Sequence, residues 1–380
     1  MLEGADGAVL EALLADGKRE DAGELTLRTR IRQRSFALDR VSLYRKLVWT
    51  LPSGSQVHVV AERDPGEPDW HDFVAFYGRW QMSDALQVHA GDLRPGFGQG
   101  VVFSRGGGRG GTVVPQMRRD SDRIGYRASG ENDAVRGASV RFCRHHFDAI
   151  LLAGVLWRDA RLNSAGKVIS LPESGRHVTD TELLGKDLLS GTIVGTRLRR
   201  MHGGLELGAT LYRLATARKV DLRRSDTRPA AFVGDRQLLM GFDGSIGRHR
   251  RGAPALFWGA AVDERRKWAL VTGGRTSLHS VPLEGLARGY SAGFHSFFGG
   301  SASSVGMRDE VGLAVAASGR NSHSHRWRLF HDRHRRTRIA AGASVPATST
   351  VWGGSLRSRV ADNWRLVMAW QTRHRLRSDR

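Results

Sequence analysis

The sequence predicts an all-β fold: an antiparallel up-and-down transmembrane β-barrel of about 16–18 strands, led by a short N-terminal helix. Three observations predict it. Apolar and polar residues alternate with period two in segments of roughly seven to eleven residues, as in strands with two chemically different faces. Short turns alternate with long polar connections, the asymmetry of barrels with tight periplasmic turns and longer outer loops. No stretch approaches the roughly 18 uncharged apolar residues of a membrane-crossing helix, so a membrane protein of this sequence must cross with strands.

Taken in order, Val9, Leu10, Leu13 and Leu14 fall at helical spacing and the stretch stops at Gly17, so residues 1–24 read as an N-terminal helical segment. Its apolar run is too short, and its flanks too acidic, for a secretory signal. Residues 25–380 read as the barrel domain, expected to be incomplete at its C-terminus. Within it, Val57, Val59 and Ala61 alternate with His58, Val60 and Glu62, and Leu86, Val88 and Ala90 with Gln87, His89 and Gly91. Ala149, Leu151, Ala153, Val155 and Trp157 share a face. Leu205, Leu207, Ala209 and Leu211 alternate with Glu206, Gly208, Thr210 and Tyr212. Trp364, Leu366, Met368 and Trp370 lie on one side; the two tryptophans are roughly 20 Å apart at ~3.3 Å per residue, a spacing two interfacial girdles would use. Short turns are expected around 51–55, 202–204 and 361–363, and long connections at 104–135, 159–191, 215–234 and 274–289. Glycines within strand segments (Gly259, Gly273, Gly293, Gly312, Gly353) suit a barrel wall better than a small soluble core.

Composition narrows the class. There are 59 Lys+Arg against 38 Asp+Glu, a formal charge of +21, and 40% hydrophobic residues, too many for a disordered chain. The cations are 53 Arg and six Lys, a surplus that points to polyanions such as nucleic acid or lipopolysaccharide, although biased base composition would also produce it. One cysteine, Cys143, excludes an internal disulfide and a thiolate zinc cluster.

Three segments carry a more specific pattern. They are a D-P-G-E turn with Asp64, Gly66 and Glu67; a G-D…G-F-G-Q-G stretch with Gly91, Asp92, Gly96, Gly98, Gln99 and Gly100; and an E-N-x-x-x-R-G start with Glu131, Asn132, Arg136 and Gly137. A weaker fourth is His177-Val178-Thr179-Asp180-Thr181-Glu182-Leu183. Their order and spacing, over about residues 60–185, resemble bacterial outer-membrane β-barrel proteins of the family described through an N-terminal helix-hairpin-helix region of the ComEA type. The resemblance implies a porin-like or transport-associated barrel of the outer membrane. DNA binding, which the helix-hairpin-helix element suggests, is not carried over, because that element is missing unless residues 6–17 are its remnant. The sequence also departs from the pattern in lacking an export signal and in ending Arg373–Arg380 rather than on an aromatic; an incomplete chain accounts for all three departures.

No catalytic, cofactor or metal site is expected. Residues 105–111 contain a formal G-x-G-x-x-G, but Thr112-Val113-Val114-Pro115 cannot open the helix a dinucleotide site needs; an RGG-like nucleic-acid segment and a loop beside a pore mouth are the other readings. Adjacent His145 and His146 would point to opposite faces of a strand, whereas His323, His325, His331 and His334 lie close enough in sequence to be weighed as a metal site, without supporting ligands. Asp243-Gly244-Ser245-Ile246-Gly247 misses the nucleophile elbow by one residue. Asp64, Glu67, Asp92 and Glu131 are expected to brace the interior by pairing with Arg94, Arg136 or Arg141, and the bare face at Gly96, Gly98 and Gly100 to accept a plug or make a bend. On the lipid face an arginine costs ~2–4 kcal/mol at the bilayer midplane. Arg197 and Arg199, Arg326 and Arg328, and Arg357 and Arg359 are therefore lumen or rim candidates, predicting anion preference in a pore. Expected partners are outer-membrane lipid, lipopolysaccharide and an unknown small solute, not nucleic acid. The competing class is a soluble arginine-rich all-β nucleic-acid-binding protein, whose best feature is Trp327 between Arg326 and Arg328.

Overall fold

The structure is a computed structural model that describes residues 23–376 except 34–40, 68–71, 106–112, 114, 116–117, 119–123, 129, 131, 133, 173–174, 176, 224–231, 248–252, 304–305, 308, 321–324, 340–343 and 362–363. The N-terminal helical expectation, Glu131, His323 and most of the glycine-rich stretch therefore lie outside the described residues. What is described is nearly all strand.

Strands β1 (Glu24–Gln33), β2 (Val41–Thr50), β3 (Gln56–Arg63), β4 (Phe73–Gln81), β5 (Leu86–Leu93), β6 (Val135–Arg144) and β7 (Phe147–Arg158) pair in order, each antiparallel to the one before. The next connection holds the short pair β8 (Arg161–Leu162) and β9 (Val168–Ser170) and the one-turn helix α1 (Asp180–Leu183), closed by a Thr179/Glu182 capping box. β7 then pairs with β10 (Leu189–His202). The meander continues through β11 (Leu205–Asp221), β12 (Val233–Gly247), β13 (Ala255–Asp263), β14 (Trp268–Leu278), β15 (Val281–Tyr290), β16 (Glu310–Arg320), β17 (His325–Arg335), β18 (Thr348–Ala361) and β19 (Trp364–Leu376). With β8 and β9 set aside, seventeen strands form one up-and-down sheet.

At one end the connections are 51–55, 82–85, 145–146, 203–204, 248–254, 279–280, 321–324 and 362–363. At the other they are 34–40, 64–72, 94–134, 159–188, 222–232, 264–267, 291–309 and 336–347. The predicted asymmetry holds, with three local corrections. The segment 274–289 is not a long connection: Leu278 pairs with Val281 across His279 and Ser280, whose φ angles of 46° and 68° make the left-handed two-residue turn that matches strand twist. Neither residue is Gly or Asn, so the usual signal was missing; the long connection is 291–309. Gly96–Gly100 is not strand, because β5 stops at Leu93 and the chain turns inward with Gly98 and Gly100 at φ 49° and 77°. His145 and His146 form the β6–β7 turn rather than strand positions.

Alternating burial separates the two faces. Outward positions carry Leu205, Leu207 and Leu211 on β11, Val311, Leu313 and Val315 on β16, and Leu366, Met368 and Trp370 on β19, all exposed. Every described tryptophan lies on this face: Trp157, Trp268 and Trp352 toward the loop end, Trp49, Trp80, Trp258, Trp327 and Trp364 toward the short-turn end, and Trp370 between them. Two aromatic belts flanking an apolar band are what membrane–water interfaces select. In water such a surface would be a liability.

The interior is filled from the loop end by 94–134 and 291–309. Phe97, Val101, Val102, Phe103, Phe294 and Phe297 join inward-facing Leu152, Tyr212, Leu239, Phe257 and Tyr290 in one buried apolar cluster. Phe103 stacks on Phe298, with centroids 5.4 Å apart, and Tyr212 meets Phe298 edge-on at 5.3 Å. Backbone bonds Ser104 N to Phe298 O (2.9 Å) and Gly300 N to Gly100 O (3.0 Å) lace the two loops together. The 94–134 loop also reaches the wall near each edge of the sheet: Arg127 donates to Gln56 on β3 at 3.2 Å, and Arg328 on β17 donates to Pro115 O at 2.6 Å. The sheet is thus rolled around a plug.

Candidate functional site: the inner wall and the loop-end clasp

Where the plug packs against the inner wall, the buried arginines have their anions. Arg197 on β10, 1% exposed, is bidentate to Asp243 on β12, donates to Thr210 at 3.1 Å, and lies over the Phe97 ring of the plug with 5.5 Å to its centroid. Arg199 reaches Asp148 at 2.7 Å and Glu206 at 3.5 Å, and Arg141 is bidentate to the same Asp148 at 3.0 and 2.7 Å. Arg288 on β15 contacts Glu310 at 2.5 Å and Asp332 at 2.7 Å, all three side chains fully buried, and His334 meets Asp332 at 3.0 Å. Such pairs persist in a low-dielectric interior only when every charge is matched and hydrogen-bonded. The sequence reading missed the Arg288 group, because its members lie 22 and 44 residues apart.

Toward the short-turn end the wall differs. Register places Arg320, Arg326 and Arg357 directly across from one another on β16, β17 and β18, and Arg359 across from Arg365 on β18 and β19, all on inward positions near the short-turn end. Arg326, Arg357 and Arg365 are exposed, and among the described residues no carboxylate pairs with them. Inward positions of β1 carry Arg28, Arg30 and Arg32, with Arg30 over the Tyr44 ring at 4.8 Å. Arg328 has a carboxylate partner, Glu284 on β15 at 2.7 Å. Of the six predicted lumen arginines, Arg197 and Arg199 are therefore locked into ion pairs under the plug, whereas Arg326 and Arg357 face open space.

The family-like segments meet at the loop end. Glu67 accepts the Asp64 N–H at 2.7 Å and the His177 N–H at 3.2 Å, so it binds backbone rather than an arginine across strands as the sequence suggested. Arg63 donates to the Glu67 carbonyl at 3.0 and 2.9 Å, across the turn that holds Gly66. His177, buried, places Nδ1 2.6 Å from Asp72 and Nε2 3.2 Å from Asp159. Asn132 donates to Asp159 at 2.9 Å and accepts its N–H at 2.7 Å; Lys186 reaches Asp72 at 2.8 Å. Burial pushes the Glu67 carboxyl above its usual value, and burial followed by the Asp159 charge does the same to Asp187. The connections 64–72, 94–134 and 159–188 are clasped here.

Other expectations resolve as placement. Asp92 and Arg136 pair at 2.9 Å, but on the outward face at the loop end, where Asp92 also accepts the Phe76 N–H, so the pair does not brace the interior. Gly91, at φ 105°, puts a would-be Cβ 2.3 Å from Phe76 O, and no other residue fits that approach. Gly137 sits opposite Gly91 and Gly154 in the sheet. Gly96 and Gly100 lie in the plug, where Gln99 exchanges bonds with the Arg118 backbone at 3.2 Å. Arg141 takes Asp148, and Arg94 donates to Ser104 O at 3.3 Å.

The reactive constellations do not assemble. Asp243 is held by Arg197 inside β12, so the near-elbow is an ordinary strand. His331 stacks outward on Trp352 with centroids 3.9 Å apart, whereas His334 faces inward, so the histidine group is split between faces. Glu67, Asp72 and His177 bring ligand-type atoms within 4.8 Å of one another, but the His177 ring and the Glu67 oxygens already serve the hydrogen bonds of the clasp. The sequence had one signal for the plug that went unused: Phe294, Phe297 and Phe298 in an otherwise Gly/Ser-rich connection, where a solvated loop would carry no aromatic cluster.

No protein-family model matches the sequence, and no curated protein does. Among solved structures, the chain is similar to Pseudomonas aeruginosa OccK10 (OpdN), with a TM-score of 0.50 and 12% identity over 92% of this chain and 91% of that one. It is also similar to the outer membrane protein opdK of the same organism (0.49, 12%, 93% of each chain) and to its OpdQ (0.47, 9%, 92% of this chain and 90% of that one). At such identity the likeness is one of fold. That fold is an antiparallel up-and-down β-barrel.

Proposed function

We propose that the chain is a porin-like channel of the bacterial outer membrane that passes small anionic solutes between its inward-folded plug and an arginine-lined wall, without covalent chemistry. The observation that carries this reading is the set of exposed, inward-facing arginines on β17, β18, β19 and β1, in contrast to the region under the plug whose charges are matched. A cationic ring in a water-filled lumen lowers the energy of an entering anion and raises that of a cation. The outward belts place the strands across a bilayer, and outward Arg136, Arg333 and Arg335 at the loop end suit lipopolysaccharide phosphates. Kinship with the helix-hairpin-helix-associated barrels belongs to this proposal too; three of its four segments meeting in one clasp support it.

Refolding into detergent micelles, with boiled and unboiled chain compared on a gel, tests the barrel; planar-bilayer recording in a salt gradient tests the passage. The expected result is a mobility shift and a reversal potential of anionic sign. A barrel that conducts cations preferentially overturns the arginine reading. A chain folded without detergent that binds single-stranded nucleic acid in a salt-dependent way replaces the channel by the competing class.

A further inference from the structure

Near the loop end, the outward face carries a groove of about 650 Å³ between β14 and β16. It arises from β15, whose outward positions hold only Gly285, Ala287 and Gly289, while Leu286, Arg288 and Tyr290 point inward and are buried. Register sets Leu270 and Thr272 of β14 beside Gly289 and Ala287 as one bank, and Val311 and Leu313 of β16 as the other. The banks are two strand spacings apart, about 10 Å, and the floor runs about 13 Å from Gly285 to Gly289. At Gly285 the space is open, since a Cβ there would meet no heavy atom within 4 Å; at Gly289 it would lie 3.1 Å from the Trp268 ring, which covers the loop end of the groove.

The groove also has a cationic border. Arg333 and Arg335 on β17 line it, directly across from Leu313 and Val311. Both are exposed, roughly 7 Å apart along the strand, and among the described residues no carboxylate pairs with either. An apolar trough therefore runs from two unmatched guanidiniums toward the middle of the wall. A free anion would satisfy the arginines and leave the trough empty; a bare hydrocarbon chain would do the reverse. A second copy of this chain, at +21, would bring more cations than anions. One molecule that answers both features is an acyl lipid with a phosphate headgroup, and in an outer-membrane barrel the long connections lie on the outer side.

We infer that this groove holds one phosphorylated lipid of the outer leaflet, of the lipid A type, with an acyl chain over Gly285–Gly289 and a phosphate on Arg333 and Arg335. The inference rests on the barrel reading above and gives its lipid contact a defined site. Guanidinium forks match phosphate oxygens in pairs. At interface depth an outward arginine costs little, unlike one at the midplane. The chain would cover Leu270, Val311 and Leu313, which are 44, 50 and 59% exposed.

The test uses the full chain refolded in detergent, with purified lipid A added and the retained lipid counted by native mass spectrometry. One lipid A per chain is expected. Arg333→Gln combined with Arg335→Gln should weaken its retention about tenfold, and dephosphorylated lipid A should bind the parent as weakly. Gly285→Leu, whose side chain enters open space, should fill the trough and cost about tenfold as well. Excess inorganic phosphate should not displace the lipid. No retained lipid A in a chain that keeps its heat-dependent mobility shift, equal retention by the double arginine variant, or displacement by inorganic phosphate each overturns the site and leaves the channel proposal standing. If Gly285→Leu itself loses the shift, the arginine pair and the dephosphorylated lipid decide. Absence of the shift in the unmodified chain overturns the barrel, and the groove with it.

Discussion

Two regions of the inner wall, one under the plug and one toward the short-turn end, use the same residue type in contrary ways. Under the plug, Arg197, Arg199 and Arg288 are buried and matched by Asp243, Asp148, Glu206, Glu310 and Asp332. Facing open space, Arg326, Arg357 and Arg365 have no such match among the described residues. The difference follows from water. A buried guanidinium without an anion is too costly to keep, so the parts of the wall that the plug covers must carry carboxylates. The exposed region is under no such obligation, and Arg326, Arg357 and Arg365 stay there without a carboxylate among the described residues.

The largest expected effect breaks the matched side. Arg288→Leu leaves Glu310 and Asp332 buried without their cation and should cost about 3–5 kcal/mol, read as a fall in the urea midpoint of the refolded barrel. Arg365→Leu on the solvated side should stay within about 0.5 kcal/mol by the same measurement. Equal losses in the two variants would erase the contrast.

Next in size is Gly98→Val. Its φ of 49° disfavours a branched residue, and the new Cβ would fall 2.2 Å from the Asp243 carboxyl carbon, prising that carboxylate off Arg197. A cost of about 1–3 kcal/mol should loosen the plug, so single-channel conductance rises while the mobility shift survives. Unchanged conductance would mean that the plug does not limit the passage.

The solvated side is sharpened by charge reversal. Arg326→Glu combined with Arg357→Glu should move the reversal potential toward cation preference with stability changed by no more than about 0.5 kcal/mol. The same pair of changes at Arg197 and Arg199 should unfold the barrel before selectivity can be read.

The smallest effect concerns the loop-end clasp. Asp187 has a carboxyl raised above its ordinary value by burial and by Asp159, so the folded state holds that proton more tightly than the unfolded state does. Its contribution is therefore fully present below the ordinary carboxylate value of 3.8 and is lost as pH rises through the raised folded value. Asp187→Asn keeps the left-handed backbone, φ 52°, that Asn also tolerates, and removes the slope. Its denaturation midpoint should exceed the parent's at pH 7 by more than at pH 4; a gap independent of pH would show that the charge is not the cause.

Much of the wall was legible in advance, because side chains alternate by geometry and a membrane barrel must turn one parity outward. The faces read from Val57–Ala61, Ala149–Trp157, Leu205–Leu211 and Trp364–Trp370 are outward faces here. The 279–280 turn was not legible, since His and Ser adopt the left-handed conformation there without advertising it. Gly96–Gly100 carried glycines that fit a strand bend and an inward loop equally well, and only the packing of Phe97, Phe103 and Phe298 distinguishes them. Glu67 looked like an ion-pair partner because the sequence lists carboxylates but not the backbone N–H groups that reach them.

By itself, then, the sequence determined strand periodicity, the up-and-down order and the parity that faces lipid, all local or nearest-neighbour properties of a pleated chain. Only the tertiary structure decided which arginines are matched by carboxylates and which are left exposed on inward positions. Partners such as Arg288 and Asp332, 44 residues apart, are chosen by the register of strands around the barrel and by the loops that fill it. Neither is written in any one segment.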